Sequence, residues 1–422
     1  MKVLLLTTKS PYPLYEGRAL RTYNLIKQAA GEHEIHLLSF VQTAEEAEGI
    51  EHMRSICASV ESIPLHMGSR LQVLGDVLRE VFSASPLLAV KYRSRAMRRH
   101  VTDAVERGGF DLIHLDMLHL GDYIADCARV PVLLVEHNVE SILFKRRIDA
   151  ERGWLKKLYF RYQLRKLRRY EAETCRRADH VVAVSAGDAS ELESLCRHDR
   201  VTTIPNGVDT EFFAPGEGDR LPHNLVFVGG LTWFPNLDAM RFFCAEILPL
   251  IAEEIADVTL TVVGKNPSQG IDPAIASNPR VRLTGLVEDV RSVIDSASVY
   301  VVPLRVGGGT RLKILDALAM GKPLVSTAVG CEGLSVTHGR HLLIADKPRD
   351  FAAEVVRLLR DAALAAQLAH EGRALVKKKY EWRVIASELL NVYRSCADRL
   401  PRYRAPGRTT GRVAGRTAGR MA

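Results

Sequence analysis

The sequence contains no apolar run approaching the roughly 20 residues that a bilayer-spanning helix needs. The first apolar run covers only Val3 to Leu6 before polar Thr7 and Thr8, so it predicts a buried strand and not a secretory signal. Any membrane contact is therefore expected to be peripheral.

Several chemical signatures are also missing. The seven cysteines form no CxxC pair, no metal-ligand spacing and no even framework, which favours a reducing, cytoplasmic compartment. No GxGxxG turn follows the first strand, which argues against a nicotinamide dinucleotide enzyme. No convincing DxD-like carboxylate pair is present, so neither a metal nor another cofactor is expected.

The remaining composition is that of a globular protein. With 422 residues, 47% apolar and 26% charged, the chain exceeds what one core usually supports and predicts two domains. The net charge of +8 comes largely from residues 145–177 and from the tail. The Gly-Arg pairs of 401–422 predict a disordered, solvated tail. An RGG-like nucleic-acid role is the alternative, but the pairs lack interleaved aromatics apart from Tyr403, so no nucleic-acid partner is expected.

Short apolar strands alternate with amphipathic helices, which predicts the α/β class with parallel sheets. Strands are predicted at 2–8, 34–40, 111–115, 130–136 and 180–184, and then at 224–228, 258–263, 281–284, 299–303 and 323–326. A loop rich in Pro, Gly and Asp separates the two series. We therefore predict domains at 1–205 and 223–380, a linker at 206–222 and a helical segment at 381–400. That last segment contains Trp382 and is positioned to dock back across the hinge.

The most informative segment is VYVVPLRVGGGTRLKILDALAMGKPLVSTAVGCEGL, residues 299–334. It predicts a strand, a glycine loop and a helix that begins near Thr310. Glycines at such a place expose backbone N–H groups to an anion such as a diphosphate. Arg311 and Lys313 add positive charge at this helix end, which is unfavourable for the helix unless an anion binds. Asp316 faces the loop and can accept hydrogen bonds from a ribose diol. Alternatively, Asp316 is an exposed helix residue paired with Lys313.

An ordered set of motifs extends along nearly the whole chain. It comprises VVAVSAGDASEL (181–192), IPNGVDTEFF (204–213), FVGGLTWFPNLDAMRFF (227–243), TVVGKNP (261–267) and the 299–334 segment. This set resembles the retaining GT-B glycosyltransferases of the group-four type, which act in lipopolysaccharide, capsule and exopolysaccharide assembly. The GGGTRLK loop is similar to that of a branch associated with exopolysaccharide loci. The resemblance implies two Rossmann-like domains whose parallel sheets face each other across a cleft.

The resemblance also implies the donor-binding residues of the second domain. The family has two glutamates separated by seven residues, and this chain has Gly308 and Asp316 there. Asp316 can still bind the ribose, whereas sugar contacts are left to the amides of Gly309 and Thr310.

The family binds the diphosphate through an Arg and a Lys after the first strand of this domain. This chain has Gly230, preceded by Gly229, and Pro235 there, so both cations are missing. Our hypothesis is that Arg311 and Lys313 replace them.

Two further positions are implied to line the base, namely Lys265 after Gly264, and Leu286. Core packing is the alternative for Leu286 and for Val287 beside it.

In the first domain, the resemblance implies that Gly17 approaches the donor phosphate and that Arg18 helps to neutralise it. Glu136, His137 and Asn138 are predicted to be exposed at a strand's carboxyl end, where open α/β sheets bind ligands. The family has a histidine here that contacts the donor sugar, and His137 corresponds to it. A structural role for His137 is the alternative.

The function implied is metal-independent, retaining transfer of a sugar from a nucleotide-sugar donor to a saccharide or lipid-linked saccharide acceptor. A nucleotide-sugar epimerase of the same fold and a non-catalytic nucleotide-sugar-binding protein are the alternatives. The basic segment 145–177 predicts an amphipathic helix that lies on an anionic membrane, or else a packed crossover helix with a solvated basic face. The sequence thus indicates a cytoplasmic protein, and the first of these two alternatives would associate it with the inner face of the membrane.

Overall fold

The computed structural model describes residues 1–14, 17–65, 85–107, 109–127, 129–151, 153–197, 200–216, 218, 221–266, 271–307 and 311–399. The predicted disordered tail, 401–422, lies outside these residues.

A parallel sheet forms the centre of the first domain, with the strand order β3-β2-β1-β4-β5-β6-β7. In chain order its elements are β1 (Lys2–Thr7), α1 (Gly17–Ala29), β2 (Glu34–Val41), α2 (Ala44–Met53), β3 (Ser59–Pro64), α3 (Leu87–Val90), α4 (Arg95–Arg107), β4 (Leu112–Asp116), a 3-10 helix (Leu118–Cys127), β5 (Val132–Val135), α5 (Glu140–Ala150), α6 (Trp154–Arg177), β6 (His180–Ala183), α7 (Ala186–Cys196) and β7 (Val201–Thr203).

The second domain has a parallel sheet with the order β10-β9-β8-β11-β12-β13. Its elements are β8 (Asn224–Val228), α8 (Phe234–Phe242), a π-helical turn (Phe243–Ile247), α9 (Leu248–Glu254), β9 (Thr259–Val263), α10 (Pro273–Ala276), β10 (Val281–Gly285), α11 (Val290–Ser296), β11 (Val299–Val302), α12 (Leu312–Ala319), β12 (Leu324–Ser326), β13 (Leu343–Ile344), α13 (Pro348–Arg360), α14 (Ala362–Lys379) and α15 (Trp382–Ala397).

The central strands are largely apolar because helices cover both faces of each sheet. Every residue of β4, β5 and β11 is buried. In each sheet the strand order reverses at one point, between β1 and β4 in the first and between β8 and β11 in the second. Such reversals open a crevice at the carboxyl ends of the strands, where ligands bind in open α/β sheets.

The chain crosses between the domains twice, and the two crossings pair with each other. Val208 donates to the carbonyl of Tyr380 at 2.7 Å and forms a parallel bridge with Glu381. Gly207 lies so close to Trp382 that an added Cβ would stand 2.6 Å from the indole. α15 then packs on α1, β4 and β5 of the first domain, where the Tyr393 hydroxyl lies 2.6 Å from His114 Nδ1.

The predicted α/β class with two Rossmann-like domains is confirmed. Every predicted strand is present, with bounds that differ by at most two residues at either end. Three strands were missed: β3, β7 and β13. The chain leaves α14 at Tyr380 and starts α15 at Trp382. The helix expected near Thr310 begins at Leu312.

Candidate functional site

The start of α12 faces the first domain. A Cβ added to Gly17, the first residue of α1, would lie 2.7 Å from Leu312 Cδ1. The guanidinium of Arg311 folds over Gly307, where a Cβ would collide with it. Gly308, Gly309 and Thr310 lie outside the described residues. The contact between Gly17 and Leu312 therefore places the start of α12 at the cleft between the two sheets.

Lys313 projects from α12 to the carboxyl end of β8. Its ammonium donates to Asn236 Oδ1 at 2.8 Å and lies 4.1 Å from the centre of the Phe227 ring. A Cβ on Gly229 would stand 2.6 Å from Nζ, so only glycine admits the cation there. Burial and the neighbouring Arg311 lower the pKa of Lys313 to about 7, although Asp316 opposes the shift. An anion bound beside Lys313 would stabilise its ammonium form, which burial disfavours.

Asp316 is one turn further along α12 and is largely buried. Burial raises the pKa of its carboxyl to about 8, against the attraction of Lys313. Its Oδ1 is buried and has no hydrogen-bond partner within the described part of the chain. The alternative of an exposed Asp316 paired with Lys313 is wrong, because Lys313 bonds Asn236 instead. A diol that donates to this carboxylate would satisfy it.

The backbones after β8 and β9 approach each other closely. A Cβ on Gly264, whose φ is +141°, would lie 2.6 Å from the carbonyl carbon of Gly229 and from the nitrogen of Gly230. The Asn236 side chain holds this turn by donating to the Gly230 carbonyl at 2.9 Å. Gly229 and Gly264 thus let the two turns approach each other and leave room for the ammonium of Lys313 and the side chain of Asn236.

Lys265 and Leu286 follow β9 and β10 at the same edge of the sheet. Lys265 is exposed, and its carbonyl accepts from the Leu231 amide at 2.9 Å. The Leu286 side chain is 76% exposed, so the core-packing alternative fails for it, whereas Val287 packs against the core.

Across the cleft, His137 follows β5 and is held by a carboxylate that the sequence analysis missed. His137 Nε2 lies 2.8 Å from Asp116 Oδ1, and Thr22 donates to Asp116 Oδ2 at 2.8 Å. Burial alone would raise the pKa of Asp116, but His137, His114 and Thr22 hold it well below its usual range. Asp116 is therefore a buried anion that fixes the orientation of the His137 ring.

His137 and the residue before it were both predicted to be exposed, and the structure contradicts this for each. The His137 side chain is only 7% exposed because it packs on Asp116. Glu136 was expected to be exposed, but it is buried because its side chain points into the domain, towards Glu140 and Glu171. Burial and these two carboxylates raise its pKa well above the usual range.

Gly17 and Arg18 have different surroundings although they are adjacent. Gly17 abuts α12, whereas Arg18 Nη1 lies 3.1 Å from the sulfur of Met117 in the first domain.

The domains also face each other through charged residues. Burial lowers the pKa of Arg311. The guanidinium of Arg311 also interacts with the charge of Glu332 in its own domain and with those of Arg146 and Asp188 in the first domain. Arg146 lies on α5 and Asp188 at the start of α7, so the cleft has charges of both signs on each wall.

The basic segment forms two helices, α5 and α6, and α6 has two distinct halves. Its second half is packed in the domain, with Leu167, Glu171 and Cys175 buried. Its first half exposes apolar side chains: Trp154 is 73% exposed, and Leu155 and Leu158 are each 62% exposed. Within the described residues, no helix is long and apolar enough to span a membrane.

Comparisons with known proteins agree with this geometry. A family model described as Glycosyltransferase Family 4 matches residues 16–212, and one described as Glycosyl transferases group 1 matches residues 222–361. The two matches meet near the linker and together cover both domains. The chain therefore belongs to the group 1 and family 4 glycosyltransferases, which have the GT-B fold.

Relatives match over most of the chain. An uncharacterized 44.6 kDa protein in the cps region of Klebsiella pneumoniae is 21% identical over 401 residues, covering 92% of this chain and 98% of the relative. The phosphatidyl-myo-inositol mannosyltransferase of Mycobacterium leprae (strain TN) is 24% identical over 343 residues, covering 75% and 84%. The crystal structure of Anabaena HepE in complex with UDP has a TM-score of 0.67 at 15% identity, covering 94% of this chain and all of that one.

Proposed function

We propose that this glycosyltransferase moves a sugar, with retention of anomeric configuration, from a nucleotide-sugar donor to a saccharide or lipid-linked saccharide acceptor. The observation that carries the proposal is the position of Lys313 and Asp316. Both are desolvated at the strand reversal of the second sheet, on a helix whose first residue contacts Gly17 of the first domain.

The donor is proposed to lie against the second domain. Arg311 and Lys313 bind its diphosphate, with the amides of Gly309 and Thr310 and the backbone of Gly229 and Gly230. The carboxylate of Asp316 accepts from the ribose. Lys265 and the exposed Leu286 border the base, because they follow the next two strands of the sheet. A UDP complex of Anabaena HepE, which shares the fold, makes UDP the first nucleotide to test.

The proposed chemistry needs no nucleophile or metal from the protein. The bond between the anomeric carbon and the donor phosphate oxygen breaks, the acceptor oxygen bonds to that carbon on the same face, and the acceptor proton passes to the departing diphosphate. Arg311 and Lys313 stabilise the charge on the leaving group. His137, held by Asp116, positions the sugar near the reacting carbon.

A role in cell-surface polysaccharide synthesis is supported by the relative in the cps region of Klebsiella pneumoniae. Such synthesis uses cytoplasmic nucleotide sugars and would place the protein at the inner face of the membrane.

The first test is a thermal-shift screen with UDP-, GDP-, ADP- and CDP-sugars, followed by donor hydrolysis with the best stabiliser in the presence of EDTA. We expect one nucleotide class to raise the melting temperature and its sugar to be released slowly with retained configuration. Turnover to an epimeric nucleotide sugar without acceptor would indicate an epimerase. Binding without any donor consumption would indicate a binding protein.

The exposed half of α6 is proposed to contact an anionic membrane. It combines the exposed side chains of Trp154, Leu155 and Leu158 with the cations Lys156 and Lys157, and this composition suits the interface of an anionic bilayer.

Vesicle sedimentation at low salt checks the membrane contact. The wild-type chain is expected to sediment with phosphatidylglycerol-containing vesicles and not with neutral ones. The double variant Leu155→Ser/Leu158→Ser should lose this binding, whereas Phe212→Ser/Leu221→Ser, which alters two exposed apolar side chains near the linker, should keep it. Equal sedimentation with both vesicle types would refute the contact.

A further inference from the structure

Three basic side chains converge on the wall of the first domain beside His137. Tyr92 connects two of them: its ring centre lies 5.3 Å from Lys91 Nζ and 5.3 Å from the ring centre of His119, which it meets edge to face. Arg18 reaches the same wall through Met117, two residues before His119. We name Arg18, Lys91 and His119 the wall cluster.

The wall cluster is built on a constrained turn. Met117 has a φ of +109°, which a residue with a side chain rarely adopts. Its sulfur accepts from Thr8 Oγ1 at 3.6 Å as well as from Arg18, so β1 and α1 both fix this turn. The turn sets His119 at the carboxyl end of β4, on the same edge of the sheet as His137.

His119 has an unused polar atom. Its Nδ1 is buried and has no hydrogen-bond partner within the described residues. Burial, followed by the charges of Arg18, Lys91 and His137, lowers the pKa of His119 to about 3. The imidazole is therefore neutral at physiological pH and can donate one N–H to a ligand.

Described carboxylates also lie near the wall cluster. The charges of Glu46 and Glu140 act on Tyr92, and Glu46 accepts from the Gln42 amide at 2.8 Å. Burial and Glu171 raise the pKa of Glu140 to about 7, against the charge of Arg18, so Glu140 is only partly ionised at neutral pH. The Asp116 carboxylate already accepts from Thr22 and contacts His137. A ligand oxyanion that accepts from His119 would be attracted by the charges of Arg18 and Lys91.

We propose that the wall cluster binds an oxyanion of the acceptor, either a phosphate or a carboxylate, beside His137. This inference rests on the proposed function and names the chemical class of its acceptor. It also assigns Arg18 to the acceptor, in place of the donor phosphate expected from the sequence. Gly17 then faces the donor, because it contacts Leu312 at the start of α12.

The test uses the full chain saturated with the nucleoside diphosphate that gives the largest rise in melting temperature. Inorganic phosphate and glucuronate are then titrated by calorimetry, with glucose as the neutral control. The variants are Arg18→Gln and Lys91→Gln. Arg99→Gln, which removes an exposed charge from α4, is the matched control. The Lys313→Gln variant is titrated with inorganic phosphate in the absence of nucleotide, so that phosphate binding at the proposed donor site is weakened.

We expect phosphate or glucuronate, but not glucose, to bind to the wild type and to Arg99→Gln. Arg18→Gln and Lys91→Gln should each weaken this binding about tenfold, since each removes a charge-assisted contact, with nucleoside diphosphate affinity unchanged. Phosphate and glucuronate distinguish the two sources of the oxyanion.

The proposal is overturned if the wild type binds no oxyanion, or if Arg18→Gln and Lys91→Gln bind it as tightly as the wild type does. A loss of nucleotide affinity in Arg18→Gln would show that Arg18 binds the donor phosphate and not the acceptor. Failure of the proposed function is separate, because no nucleotide sugar would then raise the melting temperature.

Discussion

Lys313 and Asp316 lie a turn apart on α12, and burial moves their pKa values in opposite directions. The pKa of Lys313 falls to about 7 and that of Asp316 rises to about 8. Donor binding as proposed needs the ammonium of Lys313 and the carboxylate of Asp316. The ammonium is lost as the pH rises through 7, whereas the carboxylate forms as the pH rises through 8.

Donor affinity should therefore be bell-shaped in pH, with a maximum between about 7 and 8. Calorimetric titration of the donor from pH 6 to 9 measures this. Asp316→Asn should remove the acidic limb and Lys313→Gln the alkaline limb, each with lower affinity at the maximum. A flat profile in the wild type would show that neither group binds the donor.

His137 and Asp116 give a second prediction at this scale. His137→Ala should lower kcat about 100-fold or more, the usual range for a catalytic histidine. It should also lower the melting temperature, because the buried Asp116 carboxylate loses a partner. Asp116→Asn keeps the shape but removes the charge that orients His137, so it should lower kcat by a similar factor while KM for the donor changes little. A folded His137→Ala variant that keeps the kcat of the wild type would support a purely structural histidine.

The sequence identified His137 from its place after a strand, but it did not identify Asp116. The predicted strand ended at 115, one residue short, so Asp116 was not recognised as a strand-end residue. Asn236 was missed because its partner, Lys313, is 77 positions away in the chain. Contacts of this kind depend on how the strands are ordered in the sheet, which local patterns do not encode.

Among the elements, the strands that the sequence analysis missed all lie at the edges of the two sheets. The central strands, which are largely apolar, were all found, and so was the edge strand β10. The missed strands β3, β7 and β13 are sheet edges, where one side has no neighbour and the apolar pattern is weak. β13 has only two residues. Between α14 and α15 the chain pairs with the linker at Val208, a distant contact that the sequence analysis did not predict.

The contact between Gly207 and Trp382 allows a test of how α15 is attached. Gly207→Ala places a Cβ 2.6 Å from the indole and should cost about 1–3 kcal/mol of unfolding free energy, the usual range for overpacking. Gly187→Ala, where a Cβ has no neighbour closer than 3.8 Å, is the matched control and should be neutral or stabilising. Urea denaturation compares them. Equal stability of both variants would show that the indole moves aside freely.

At the scale of the whole molecule, the two sheets bring their strand reversals to one cleft. The motif order along the chain predicted this architecture, since each domain repeats the same strand and helix alternation. The contacts that position the linker were not predictable from local patterns. Arg21 is fully buried and donates to Asn206 Oδ1 at 3.1 Å, which ties the first residue of the linker to α1.

The central claim is that the start of α12 binds the diphosphate of a nucleotide sugar in this cleft. Its most direct test is the affinity of the best nucleoside diphosphate for Arg311→Gln/Lys313→Gln, compared by calorimetry with the wild type. Lys347→Gln/Arg349→Gln, which removes two exposed charges from the same domain, is the control. We predict a Kd about 100-fold higher in the first variant, near tenfold for each lost charge, and an unchanged Kd in the control. An unchanged Kd in Arg311→Gln/Lys313→Gln would contradict the account.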